Sequence, residues 1–210
     1  MAIDGVKTKG AAVLTMSEWL DRRLGQAWTR KTLRRHAPHW PEQLRSHEWY
    51  DLRPQLLVIE RAAFRLRGTD SVETIAREVW GQIALRDLTS THRAFLWAKS
   101  PPTFLRSVPS LWERYVSFGR VTIDHNEFGS FSARIGDLPL GVDEWVGGAW
   151  LGLVPTAMVF AGAEGLEAAI VERRRTFAGG WELRYELRYR QLELRYQPRP
   201  RPLPQTEQPR

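Results

Sequence analysis

Residues 100–140, SPPTFLRSVPSLWERYVSFGRVTIDHNEFGSFSARIGDLPL, decide how this chain folds. Upstream of them the apolar residues recur at helical spacing; downstream they mostly alternate, as in strands. Within the stretch, Leu111, Trp112 and Tyr115 fall on one helical face. Phe118–Ile123 and Ser130–Ile135 then read as two strands flanking Asp124–Gly129, a polar connection closed by glycine. The predicted arrangement is a helix handing over to a β-hairpin.

Towards the N-terminus, Thr8–Leu24 reads as a helix on the strength of Val13, Leu14, Trp19, Leu20 and Leu24, with Ser17 as a candidate cap inside it. Gly25 breaks it, and Ala27–Arg35 gives a short basic helix carrying Trp28 and Leu33. His36–Pro41 is a turn, because each proline pushes the residue before it out of the helical region. A helix entered through Leu52-Arg53-Pro54 carries Leu56, Ile59, Ala63, Phe64 and Leu66 and stops at Gly68. Thr69, Asp70 and Ser71 are candidate N-caps for the next helix, with Glu73 spaced for a capping box with Asp70, and its core stripe is Val72, Ile75, Val79, Ile83 and Leu88. A further helix, Thr91–Ala98, leads to the Pro101-Pro102 break.

Towards the C-terminus, Trp145–Ala163 is a run of nineteen residues without a charge, long enough to be weighed as a membrane span. Four glycines and a central Pro155 favour instead a helix buried on most sides, capped by Asp143 and bent at the proline. Leu166–Arg175 has a weak strand pattern with Ala168, Ile170 and Glu172 on alternate positions. After a turn at Ala178-Gly179-Gly180, Trp181, Leu183, Tyr185, Leu187 and Tyr189 alternate strictly with charged residues. The parity slips at Gln191, where a bulge or strand end is expected. The fold class is therefore α+β: a helical N-terminal half, an antiparallel hairpin, a buried helix and two further antiparallel strands (ββαββ) in one sheet. Residues 1–196 form one domain, and the Pro/Arg-rich segment 197–210 is predicted to be a disordered or polyproline-II tail.

Composition excludes several kinds of chemistry. With no cysteine there is no disulfide framework, thiolate metal site, thiol nucleophile or S-acylation. The formal charge is +7, and 27 of the 31 basic residues are Arg. Beyond the tail, that charge is spread along amphipathic elements and mostly interleaved with acids. The start, MAIDGVKTKG, shows no apolar signal region, so a cytoplasmic protein is expected.

The order of elements, with Ser100-Pro101-Pro102, Leu105-Arg106, Val108-Pro109, Leu111-Trp112-Glu113-Arg114-Tyr115 and Gly119 marking the junction, resembles one superfamily. It holds the heme-nitric-oxide/oxygen-binding domains, the vinyl-reductase-like ligand-binding domains and the TRAPP transport-particle subunits. Within it, the junction is most similar to that of an uncharacterised paralogous bacterial family, and Ser46–Tyr50 matches a short signature such domains carry before a helix. The likeness covers residues 7 to 190 and implies a module that binds a small molecule or a partner protein, often as a dimer. Vinyl-reductase-like relatives often have cysteines near the last two strands. Here Phe177 and Gly180 stand in that region.

Heme-binding members use an axial histidine on a helix, a Pro-rich turn and a Tyr-x-Ser-x-Arg clamp on the propionates. The resemblance carries these roles to His92, Pro101-Pro102, Tyr115, Ser117 and Arg120, with the Arg one residue later than in the family pattern. His36, His39 and His47 match no metal-ligand spacing, so no metal site is expected. His125 reads as polar hairpin-tip chemistry. Arg173-Arg174-Arg175 would face Arg184 and Arg188 if the last strands pair, a basic sheet face suited to solvent or an acidic protein. Nucleic acid is disfavoured there, because Tyr185 and Tyr189 point to the other face.

The leading reading is a non-enzymatic cytoplasmic signalling or scaffold module. It would bind a partner protein and a small apolar ligand lined by Trp112, Tyr115, Trp145, Trp150 and Trp181, with a homodimer as an option and no cofactor. The alternative is a heme gas sensor built on His92, Tyr115, Ser117 and Arg120. A basic nucleic-acid-binding protein is the third reading. No catalytic constellation is found.

Overall fold

The structure, a computed structural model, describes residues 5–66, 70–89 and 100–191. Its first element is a strand rather than a helix. β1 (Lys7–Lys9) pairs antiparallel with β2 (Trp49–Asp51), and α1 (Gly10–Leu24) starts directly from it. The opening N–H groups of a helix lack partners of their own. In α1 those of Gly10 and Ala11 donate to the carbonyls of Glu48 and Ser46, 2.9 Å away in each case. That approach requires glycine at position 10, because a Cβ there would overlap the Arg45 carbonyl oxygen. α1 is continuous, and Ser17 donates back to the Val13 carbonyl instead of capping a second segment.

α2 (Gln26–His36) and α3 (Leu52–Arg65) pack beside α1. α3 buries Leu56 and Ile59 as expected, together with Gln55, Val58 and Ala62, but not Ala63 or Phe64. Phe64 consequently points outward, 80% exposed. α4 (Val72–Thr89) buries Ile75, Val79 and Ile83 as its spacing predicts. Its cap is Ser71, whose hydroxyl accepts the Thr74 N–H at 3.1 Å. Ser71 is one of the three expected candidates; Asp70 and Glu73, spaced for a capping box, are instead engaged by Arg23 and Arg173, and Thr69 lies outside the described residues. The Gly68 stop, the Thr91–Ala98 helix, the Leu88 side chain and the chain beyond Gln191 lie outside the described residues or side chains.

α5 (Pro101–Tyr115) ends on the Leu111–Trp112–Tyr115 face and hands over to the hairpin β3 (Arg120–Glu127) and β4 (Ser130–Leu138). The connection is tighter than the sequence suggests. Asp124, His125 and Asn126 belong to β3, a bulge falls between Ile123 and His125, and the turn is Phe128-Gly129 with Gly129 at φ +87°. α6 (Asp143–Phe160) follows, shorter than expected because Ala163 already belongs to β5 (Ala163–Arg175). Asp143 is its first residue, makes no capping hydrogen bond, and pairs with Arg173. In β5 a bulge between Ile170 and Glu172 turns Glu172 to solvent. β6 (Trp181–Gln191) completes an antiparallel sheet in the order β3-β4-β6-β5. The helix-rich first half and the ββαββ sheet are thus the α+β fold read from the sequence.

Phe131, Ala133 and Ile135 of β4 and Leu183, Tyr185 and Leu187 of β6 are buried on the sheet's inner face. α6 lies between this sheet and α4. Burial on both sides explains why the helix carries no charge after Glu144. Its Gly148 and Gly152 sit so close to α4 that a Cβ would overlap the carbonyl oxygens of Glu73 and Arg77. Among the described residues, no helix is long and apolar enough to cross a membrane.

Candidate functional site

The strand β1 ties the two halves of the molecule together. Thr8 bridges to Val116, the Ser117 N–H donates to the Lys7 carbonyl at 3.0 Å, and the Lys7 N–H donates to the Ser117 hydroxyl at 2.8 Å. Beside this junction opens a cleft of about 670 Å³. Ala11, Leu14 and Trp49 form its apolar wall, and Asp87 and Tyr115 lie among its polar residues.

Asp87, 7% exposed, is held from two directions. The Tyr115 hydroxyl donates to its Oδ2 at 3.0 Å, and Arg86 Nε donates to its Oδ1 at 2.8 Å. Arg86 also donates to the Ala11 carbonyl, so α1, α4 and α5 meet at this carboxylate. Burial, then the charge of Asp87 and the hydrogen bond to it, push the Tyr115 hydroxyl well above its ordinary value. Tyr115 is therefore a neutral phenol that donates to Asp87. Lys9 donates to the His47 carbonyl and lies 4.1 Å from the centre of the Trp49 ring, fixing the cleft's outer wall.

Of the five aromatic residues expected to line a pocket, Trp112, Tyr115, Trp145 and Trp150 come together and are buried. Trp80 joins them, its ring centre 5.7 Å from Trp112, 5.5 Å from Tyr115 and 5.4 Å from Trp145. Trp150 extends the cluster to Tyr185 at 5.4 Å. Trp181 stands apart, half-buried, with Arg175 over its ring at 6.0 Å. Among the described residues, Tyr115 alone belongs to both the cluster and the cleft. Sequence reasoning does not find Asp87, because a lone acid at a helix end carries no spacing signal.

The heme alternative rests on four residues, three of which are described. His92 lies outside the described residues. Tyr115 turns inward to Asp87, Ser117 latches β1, and Arg120 is exposed at the start of β3. Tyr115 and Ser117 thus make these hydrogen bonds within the protein, and Arg120 faces solvent. Among the described residues, no group of three metal-ligating side chains is placed to hold an ion.

The basic sheet face is also not what the sequence suggests. Arg173 pairs with Glu73 and with Asp143 at 3.4 Å, Arg174 with Glu182 at 2.6 Å, and Arg184 with Glu186 at 3.2 Å. The unbalanced charge is elsewhere. α2 carries Arg30, Lys31, Arg34 and Arg35 with no acid, and α3 carries three Arg against Glu60. That is four from α2 and two from α3, six of the chain's formal +7.

No family model matches the chain, and no curated protein matches it. Solved structures do. One is an oxygen-binding H-NOX domain related to soluble guanylate cyclases, solved as the oxygen complex. It matches with TM-score 0.63 and 15% identity over 86% of this chain and 94% of that one. An H-NOX protein studied for heme distortion matches with TM-score 0.67, 15% identity and coverage of 86% and 94%. A point mutant of the T. tengcongensis H-NOX matches with TM-score 0.66, 15% identity and coverage of 86% and 97%. The chain has the fold of the H-NOX domains, which supports the superfamily resemblance drawn from residues 100–119. At this identity the likeness is one of fold.

Proposed function

We propose that this protein is a non-enzymatic, cytoplasmic binding module of H-NOX fold that couples a small-molecule cleft to a partner protein. The observation that carries the ligand half is the Asp87–Tyr115 pair in the cleft where α1, α4 and α5 meet. A packed apolar wall beside a few fixed polar groups is the usual composition of a ligand site. The ligand class is a small molecule with an apolar body, to suit Ala11, Leu14 and Trp49, and one polar group on the side of the cleft that Asp87 and Tyr115 line. The aromatic cluster around Trp80 forms the rigid back wall, supporting Tyr115 from behind.

Native mass spectrometry and an absorption spectrum of one freshly purified sample test this. The expected result is an added mass on the 24.3 kDa chain, or on its dimer, in a colourless protein, with the added mass lost in Asp87→Ala. A Soret band that disappears in His92→Ala would replace the proposal with the heme sensor. A bare chain mass at every ligand-retaining condition would remove the ligand half and leave the partner half standing.

A further inference from the structure

We infer that the groove between α2 and α3 docks an acidic amphipathic helix of a partner protein. This inference names the partner in the reading above and rests on its partner half.

The groove has a volume of about 670 Å³. Lys31 and Arg35 form one wall, Arg61 and Arg65 the other, and Trp28 and Phe64 supply aromatic surface between them. Among the described residues, no acid lines it. Elsewhere in the molecule several arginines are matched: Arg23 with Asp70, Arg86 with Asp87, Arg134 with Asp124 and Arg173 with Glu73. None of the four groove cations makes an ion pair among the described residues. Cations left uncompensated on both walls create a positive potential that selects a negative occupant.

The spacing selects the shape of that occupant. Each wall presents two cations four residues apart, about 6 Å along the helix axis. Carboxylates at positions i and i+4 of a third helix repeat at the same interval. An apolar stripe between such carboxylates would meet Trp28 and Phe64, the mode in which an amphipathic helix lies in a groove. A bilayer would require a broad apolar face, and Phe64 is the one strongly exposed large apolar side chain on α2 or α3. A nucleic-acid strand would require stacking aromatics on an open surface, whereas Trp28 is half-buried.

Fluorescence anisotropy on the full chain tests this inference. The probes are a labelled synthetic helix with Glu at i and i+4 flanking a Leu/Phe stripe, the same helix with Lys for Glu, duplex DNA, single-stranded DNA and phosphatidylserine vesicles. The acidic helix is expected to bind, more weakly as salt rises. The double variant Arg61→Glu/Arg65→Glu should lose about tenfold or more in affinity and gain binding to the Lys helix. Phe64→Ala should lose several-fold with unchanged thermal unfolding, which excludes misfolding as the cause. Equal binding of the acidic helix by wild type and the double variant, or its failure to bind wild type, would overturn the inference. So would tighter binding of DNA or vesicles. A cellular partner cross-linked equally by wild type and the double variant would remove this surface while sparing the partner reading.

Discussion

Two pairs of neighbouring helices in this chain solve the same packing problem in opposite ways. α4 and α6 touch backbone to backbone: Gly148 and Gly152 remove the side chains that would hold them apart, and Arg173 of β5 joins Glu73 of α4 to Asp143 of α6. α2 and α3 face each other across long cations of one sign and leave a groove. Small residues with opposite charges close a helix pair, and large residues with like charges keep it open. The closed pair provides stability. The open pair provides a surface.

Substitutions on each side put that contrast to the test. Trp80→Ala, on the closed side, removes the ring shared by Trp112, Tyr115 and Trp145 and should cost about 3–5 kcal/mol, read as a lower urea midpoint. A cost under about 1 kcal/mol would mean that the cluster repacks. Gly152→Ala places a methyl group into the Arg77 carbonyl and should cost about 3 kcal/mol, measured the same way. If Gly152→Ala is neutral, the helices are free to separate and the closed side is no closer than the open one.

Tyr115→Phe should cost about 1–2 kcal/mol at neutral pH by leaving Asp87 one donor short. Tyr115 and Tyr185 are both pushed above their ordinary value of 10.0, chiefly by burial. A raised acid loses stability when the unfolded state deprotonates first. Stability should therefore hold up to about pH 10 and fall above it, more shallowly in Tyr115→Phe than in wild type. Denaturant midpoints across that range decide the point. The smallest effect is expected on the open side. Arg61→Ala and Arg65→Ala should change stability by less than about 0.5 kcal/mol, because neither makes an ion pair among the described residues. A large loss would reveal such a pair and overturn the free face.

The sheet half is legible in the sequence because its signals are local. Strict alternation in Trp181–Tyr189 and the uncharged run ahead of it mark the strand and the doubly buried helix, each from its own residues. The front half is less legible. β1 and β2 are three residues each, pair across some forty residues, and carry no alternation of their own. α3 misleads because Phe64 looks like core by type, and only the position of α1 and α4 shows that the buried face is Gln55–Ala62. The candidate site is less legible again. Tyr115 stands out in the sequence for its aromatic neighbours rather than for its acid, and Asp87 becomes visible only when α1, α4 and α5 are brought together. The basic groove is written in the sequence as Lys31/Arg35 and Arg61/Arg65, but net charge per element is needed to see it.

The three residues of β1 have a consequence for how the molecule opens. Their backbone is bonded on one side to Trp49–Asp51 and on the other to Val116–Ser117. Neither set of bonds can break alone without leaving β1 stretched between the two halves. The amides of Lys7, Thr8 and Ser117 should therefore exchange with deuterium at one common rate, as a single hinge pin drawn or seated in one motion. A tag or tether that pulls on the N-terminus would act on that pin before it disturbs any helix.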